Sequence, residues 1–136
     1  MKALPLATED ALIECARDFA ASLTAPAVVF LSGELGAGKS VFARAVIHSL
    51  GFRGGVKSPT YTLVETYTTS QWRIAHLDLY RLVSSEELHY IGFEDIVANH
   101  DLLLIEWPER GEDALPEPTH QLLIEYADTG RKISGL

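Results

Sequence analysis

The sequence predicts an α/β fold with a mixed parallel and antiparallel sheet flanked by helices. Three observations lead there. The run AVVFLS (residues 27–32) passes through a glycine-rich loop into an apolar-periodic stretch, which reads as a strand–loop–helix unit. A second apolar run, DLLLIEW (101–107), has the length and composition of another buried strand. Two pairs of alternating segments, 61–68 with 72–80 and 120–126 with 131–134, read as hairpins and supply the antiparallel part.

Each element has a local cause. Thr8 is placed to cap a helix over 9–23, with Glu9 and Asp10 in the first turn, where the helix dipole favours acids. Leu12, Ala16, Phe19 and Leu23 recur at helical spacing until Pro26 interrupts them. A second helix runs from 39 to 50 and stops at Gly51. The first hairpin turns at TSQ (69–71), and its alternation puts His76, Asp78 and Tyr80 on one face, with Leu77, Leu79 and Arg81 on the other. SSEELHYIGF opens a further helix, in which Ser84 and Glu87 have capping-box spacing. Pro108, Pro116 and Pro118 mark a surface connection, and ADTG (127–130) turns the last hairpin. The order is helix, strand, loop, helix, hairpin, helix, strand, hairpin. We expect one domain over residues 1–136.

Composition narrows the partners. The 136 residues are 47% hydrophobic and 22% charged, ordinary values for a globular chain with a sizeable core. A net charge of −8, from 19 acidic and 11 basic residues, repels phosphate backbones and argues against extended non-specific nucleic-acid binding. No apolar run approaches the roughly 18 to 20 residues that span a bilayer, and MKALPLATED lacks the apolar core of a secretory signal. Cys15 is the only cysteine, so no internal disulfide can form. Together these lead us to expect a cytoplasmic location. His48, His89, His100 and His120 are scattered without metal-ligand spacing and read as structural or surface residues.

The chemistry sits in FLSGELGAGKSVFARAVI (30–47). Gly33, Gly38, Lys39 and Ser40 satisfy G-x-x-x-x-G-K-[S/T], and Gly36 adds a third glycine. In such a loop successive backbone amides turn inward to form an anion-binding concavity, and the next helix adds the positive end of its dipole. Lys39 would reach the β- and γ-phosphates and Ser40 would ligate Mg²⁺. These features together predict a P-loop NTPase domain that holds a nucleoside triphosphate. The site also needs a carboxylate on a neighbouring strand, which Glu106 supplies at the end of DLLLIEW. Asp78 is the second acid: it would orient a water, accept its proton or support the metal ion, unless its face of the sheet is simply solvated. Thr60 in KSPTYT (57–62) offers either a hydroxyl to the site or an ordinary turn.

GELGAGKS, SPTYTLVE, HLDLYRL, EELHYIGFED and LIEWPERG, in this order, resemble the bacterial TsaE (YjeE) family, from about Thr8 to Gly130. The resemblance implies an ATP-hydrolysing accessory protein needed for threonylcarbamoyladenosine in tRNAs that read ANN codons. It implies a heterodimer of TsaD and TsaB as partner, with tRNA met through that complex, and neither membrane nor DNA. Carried onto this chain, Gly33, Gly36, Ala37, Gly38, Lys39, Ser40 and Val41 would hold phosphates of ATP, and Ser40 with Glu106 would hold Mg²⁺. Asp78 would be needed for hydrolysis, Trp107 would lie near the nucleotide, and Glu9 and Gly130 near the base. Two departures stand out. Relatives commonly have two Thr after the lysine, whereas this chain has Ser40 and Val41, and it ends soon after Gly130, which leads one to expect a shortened last strand.

Other classes remain open on the sequence. A small-molecule kinase would need an acceptor pocket and clustered lid arginines, and Arg44, Arg53, Arg73, Arg81 and Arg110 form no cluster in the chain. A GTPase would need the guanine-reading N-K-x-D stretch, which is absent. A nucleotide-gated binding module without significant hydrolysis would use the same site as an ATPase.

Overall fold

The computed structural model describes residues 3–136; Met1 and Lys2, the first two residues of the expected domain, lie outside the described residues. The strands are β1 (Ala3–Leu6), β2 (Ala27–Ser32), β3 (Val64–Thr68), β4 (Arg73–Asp78), β5 (Leu102–Glu106), β6 (His120–Tyr126) and β7 (Arg131–Ser134). The helices are α1 (Glu9–Ser22), α2 (Lys39–Ser49), α3 (Glu86–Tyr90) and α4 (Phe93–Asn99). Among the described residues the strands form one sheet in the order β1-β7-β6-β2-β5-β4-β3. The centre is parallel, β6 with β2, β2 with β5 and β5 with β4, while β1–β7, β6–β7 and β3–β4 are antiparallel. The sheet is therefore mixed and flanked by helices, as the sequence predicts.

The central strands read as unbroken apolar runs because both faces of the sheet are covered. Every residue of β5 is buried. Leu102 and Leu104 point toward α1 and α2, where they meet Val29, Leu31, Phe42 and Val46. Leu103 and Ile105 point the other way, toward Leu77, Leu79, Leu88 and Phe93. α1 begins as its sequence dictates: Thr8 is extended (φ −136°, ψ 165°) and its hydroxyl accepts the Ala11 amide at 3.1 Å.

Four local details differ from the sequence reading. β1 carries no alternation, since only Leu6 of its four residues is buried. It is a strand because β7 pairs with it along its whole length, and a long-range partner leaves no local signature. The strand expected from residue 61 starts at Val64, because the Leu63 amide bonds back to the Pro59 carbonyl at 2.8 Å and Leu63 turns at φ +72°. The strand expected to reach residue 80 ends at Asp78. The helix expected from SSEELHYIGF is two short helices, divided where Gly92 takes φ +73°, outside the right-handed helical region. Half of the capping box forms: Glu87 Oε2 accepts the Ser84 amide at 2.9 Å, whereas the Ser84 hydroxyl accepts from Glu86 at 3.3 Å. The last strand, β7, is four residues long and each is paired with both β1 and β6. Among the described residues no helix is long and apolar enough to cross a membrane.

Replacing the cap, Thr8→Ala, should cost about 1 kcal/mol of folding stability. Urea denaturation of the two chains measures this; an unchanged midpoint at equal slope would show that the Thr8 hydroxyl does not set the helix start.

Candidate functional site

Parallel register performs the first positioning step. Leu31 at the end of β2 lies opposite Glu106 of β5, and Asp78 of β4 lies opposite the same Glu106. The carboxyl ends of three neighbouring strands therefore sit side by side, the place where open α/β sheets receive ligands. Side chains alternate along a strand, so Asp78 and Glu106 share the face of Ile74 and Leu104, the face covered by α1 and α2.

The loop from β2 to α2 crosses over these ends, and its backbone leaves no room for side chains at two points. Gly33 has φ +148°, and a Cβ there would lie 2.2 Å from the Ile124 carbonyl oxygen. Gly38 caps α2 at φ +114°, in the left-handed region. No side chain caps this helix start, so its first amides are left for another acceptor.

Two cavities flank the loop. A cleft of about 230 Å³ is lined by Lys39, Ser40, Thr60, Asp78, Glu106 and Trp107, among others. A second cavity of about 200 Å³ is lined by Glu9, Ala37, Gly130 and Arg131 and shares Gly36, Gly38 and Val41 with the first. The structure thus brings every candidate residue except Gly33 onto one of two adjoining cavities. Gly33 lines neither of the two, and its carbonyl accepts from Lys39.

Lys39 is 5% exposed and folds back on its own loop. Its ammonium donates to the Gly33 carbonyl and, at 2.9 Å, to that of Glu34, and lies 4.3 Å from the centre of the Trp107 ring. Burial lowers its pKa from the ordinary lysine value, and the negative charges of Glu106, Asp78 and Glu109 partly oppose that shift.

Glu106, 2% exposed, is held from two sides. The Ser40 hydroxyl donates to its oxygens at 3.3 and 3.4 Å, and His76, 1% exposed, meets Oε2 through Nε2 at 2.6 Å. The other ring nitrogen, His76 Nδ1, has no partner among the described residues. Asp78 is 6% exposed, which excludes a solvated sheet face. Its oxygens accept the Tyr80 amide at 3.0 Å and the Thr60 hydroxyl at 3.2 Å, so Thr60 faces the cleft beside it. Trp107 takes φ +57°, a strained conformation for a bulky residue, and packs on Tyr80 with ring centres 4.9 Å apart.

A hydroxyl and a carboxylate at this spacing are hard oxygen donors, and among the described residues no group of three or more His, Cys, Asp or Glu is arranged to hold a metal ion. That donor set fits Mg²⁺, which takes one or two protein oxygens and completes its shell with phosphates and water. It does not fit zinc. The sequence reading missed Arg131, Tyr126 and the packing of Tyr80 on Trp107. Arg131 and Tyr126 act on backbone carbonyls more than 90 residues away, contacts that no local motif encodes.

Comparison with known proteins finds the chain's family and fold. The family model described as "Threonylcarbamoyl adenosine biosynthesis protein TsaE" matches residues 6–133. A Haemophilus influenzae relative named tRNA threonylcarbamoyladenosine biosynthesis protein TsaE is 45% identical over 106 residues, 78% of this chain and 67% of that protein. A Rickettsia felis relative of the same name is 39% identical over 134 residues, 98% of this chain and 78% of its own length. The crystal structure of Bacillus subtilis YdiB superimposes with a TM-score of 0.74 over 97% of this chain and 80% of that one; at 24% identity it shows the shared fold.

The lowered lysine pKa has a testable sign. Between its folded and unfolded values the unfolded chain binds more protons, so stability rises with pH. Relative to Lys39→Met, the parent should therefore gain stability as pH is raised toward about 10.4, the ordinary lysine value. Chemical denaturation across that range decides; a constant difference between the two chains would show that burial leaves the ammonium unperturbed.

Proposed function

Because the chain belongs to the TsaE family, whose members take part in tRNA threonylcarbamoyladenosine biosynthesis, we propose that it binds Mg-ATP in this cleft and hydrolyses it in support of that modification. The observation that carries the reading is the meeting of Ser40, Glu106 and Asp78 at the mouth of a loop whose helix start has no side-chain cap.

The chain's residues divide the work. The Lys39 ammonium exchanges the Gly33 and Glu34 carbonyls for phosphate oxygens, which satisfy a buried positive charge better than neutral acceptors do. Ser40 and Glu106 would hold Mg²⁺, which when bound neutralises charge on the phosphate oxygens. His76 fixes the Glu106 carboxylate through Oε2. Asp78 has an oxygen tied to the Thr60 hydroxyl and another to a backbone amide, which leaves lone pairs to orient a water and take its proton. Trp107 and Tyr80 wall the cleft. Glu9 and Gly130, in the adjoining cavity, would lie by the base. Val41 borders both cavities without a hydroxyl, which costs roughly 0.5 to 1.5 kcal/mol of phosphate binding where relatives supply one.

The site supports slow turnover by the chain alone. Among the described residues no arginine lines the cleft, and Arg81 and Arg110 lie 4.6 and 5.7 Å from the Tyr61 and Tyr80 rings. A P-loop site without an arginine for the transferring charge is commonly completed by a partner. We take that partner to be a TsaD–TsaB heterodimer, which carries out the threonylcarbamoyl transfer and meets tRNA, while the ATP cycle of this chain sustains its turnover.

ATP hydrolysis should be slow for the isolated chain and rise when the heterodimer is added; the phosphate release assay must show a rate dependent on partner, and an indifferent rate would sink the proposal. Transfer of phosphate to a metabolite, seen by mass spectrometry, would favour a kinase instead. In Asp78→Ala, Mg-ATP should still bind in a calorimetric titration while hydrolysis is lost. Turnover equal to the parent would remove Asp78 from the mechanism.

A further inference from the structure

We infer that Arg131, aided by Tyr126, is a positioning residue for the phosphate-binding loop: the pair clamps the loop's outward carbonyls and thereby aims the opposite amides into the cleft. The inference rests on reading that cleft as a polyphosphate site. Arg131 opens β7 directly across from Tyr126 of β6. Its guanidinium donates through Nε to the Ala37 carbonyl at 3.0 Å and through Nη2 to that of Gly36 at 3.4 Å. It lies 4.3 Å from the centre of the Tyr126 ring, and the Tyr126 hydroxyl donates to the Leu35 carbonyl at 3.2 Å. Three consecutive carbonyls are thus taken up on one side of the loop.

A trans peptide is planar, with its N–H opposite its C=O. Holding the Leu35 carbonyl therefore fixes the direction of the Gly36 amide, and holding the Ala37 carbonyl fixes that of Gly38. The amide opposite the Gly36 carbonyl belongs to Ala37 and closes a turn onto the Glu34 carbonyl at 3.0 Å. Neither the Gly36 nor the Gly38 amide has a hydrogen-bond partner among the described residues, and both glycines line the cleft. A glycine-rich loop left to itself samples many conformations, and ordering it at the moment of binding would weaken affinity. The clamp removes that cost in advance. A purely local role, closing the last hairpin, accounts only for the third bond, from Nη1 to the Gly130 carbonyl at 3.2 Å. Lysine lacks the planar fork by which two guanidinium nitrogens meet the Ala37 and Gly36 carbonyls from one fixed plane.

The test titrates Mg-tripolyphosphate and Mg-ATP by calorimetry into the full chain and into Arg131→Met, Arg131→Lys and Tyr126→Phe. The same ligand-free proteins are compared by amide ¹H–¹⁵N spectra. Arg131→Met should lose about tenfold in affinity for both ligands alike, and Tyr126→Phe about threefold. Arg131→Lys should fall between the parent and Arg131→Met. The Gly36 and Gly38 amide resonances should move in the variants, while those of Leu103 and Ile105 in β5 stay in place. Equal tripolyphosphate affinity in the parent and Arg131→Met overturns the clamp. So does a loss confined to ATP, which would put Arg131 on the base or sugar. If Arg131→Met fails to fold, Tyr126→Phe decides, and unchanged affinity with an unmoved Gly36 resonance counts against the inference. A parent that binds neither ligand removes the polyphosphate reading itself, and the clamp with it.

Discussion

Parallel backbone pairing of β2, β5 and β4 fixes where every reactive group can be, because hydrogen-bond register leaves no freedom along the strands. It sets Asp78 opposite Glu106, and Leu31 opposite Glu106 from the other side. The loop that leaves β2 and the two carboxylates must then emerge at one edge, under the start of α2. Shifting one strand by a single residue would turn its carboxylate to the opposite face of the sheet. The buried apolar residues of β5, packed on both faces, hold that register.

Around this frame the protein buries polar groups that a stability-optimised core would lack. Lys39, His76, Asp78 and Glu106 are each less than a tenth exposed. Their desolvation is offset by short-range partners: carbonyls for Lys39, His76 and Ser40 for Glu106, Thr60 and a backbone amide for Asp78. The left-handed backbone at Trp107 is a further strain next to the same residues. That concentration of buried polar groups and strain at one end of the sheet, with Ser134 the only other buried polar residue among the described residues, is the physical mark of a functional site.

Much of the site was legible because its chemistry is encoded over short spans. The glycine spacing with Lys39 and Ser40, and the acid that ends a run of apolar residues, are each local patterns, and the structure lines one cleft with both. The alternation in HLDLY also assigned His76 and Asp78 to one face and Leu77 and Leu79 to the other, as the two packed clusters show. What sequence could not say was whether that polar face met water or the site. This depended on α2 lying across it, which is a tertiary fact.

The sequence by itself determined the α/β class, the glycine-rich loop between β2 and α2, and the start of α1 at Thr8, since each follows from backbone chemistry within a few residues. Only the tertiary structure decided that β1 is a strand and that Arg131 and Tyr126 bond to the loop's carbonyls. The reason is the same in each case: hydrogen bonds to a backbone carbonyl or amide are indifferent to which side chain that residue carries, so partners far apart in the chain leave no pattern to read.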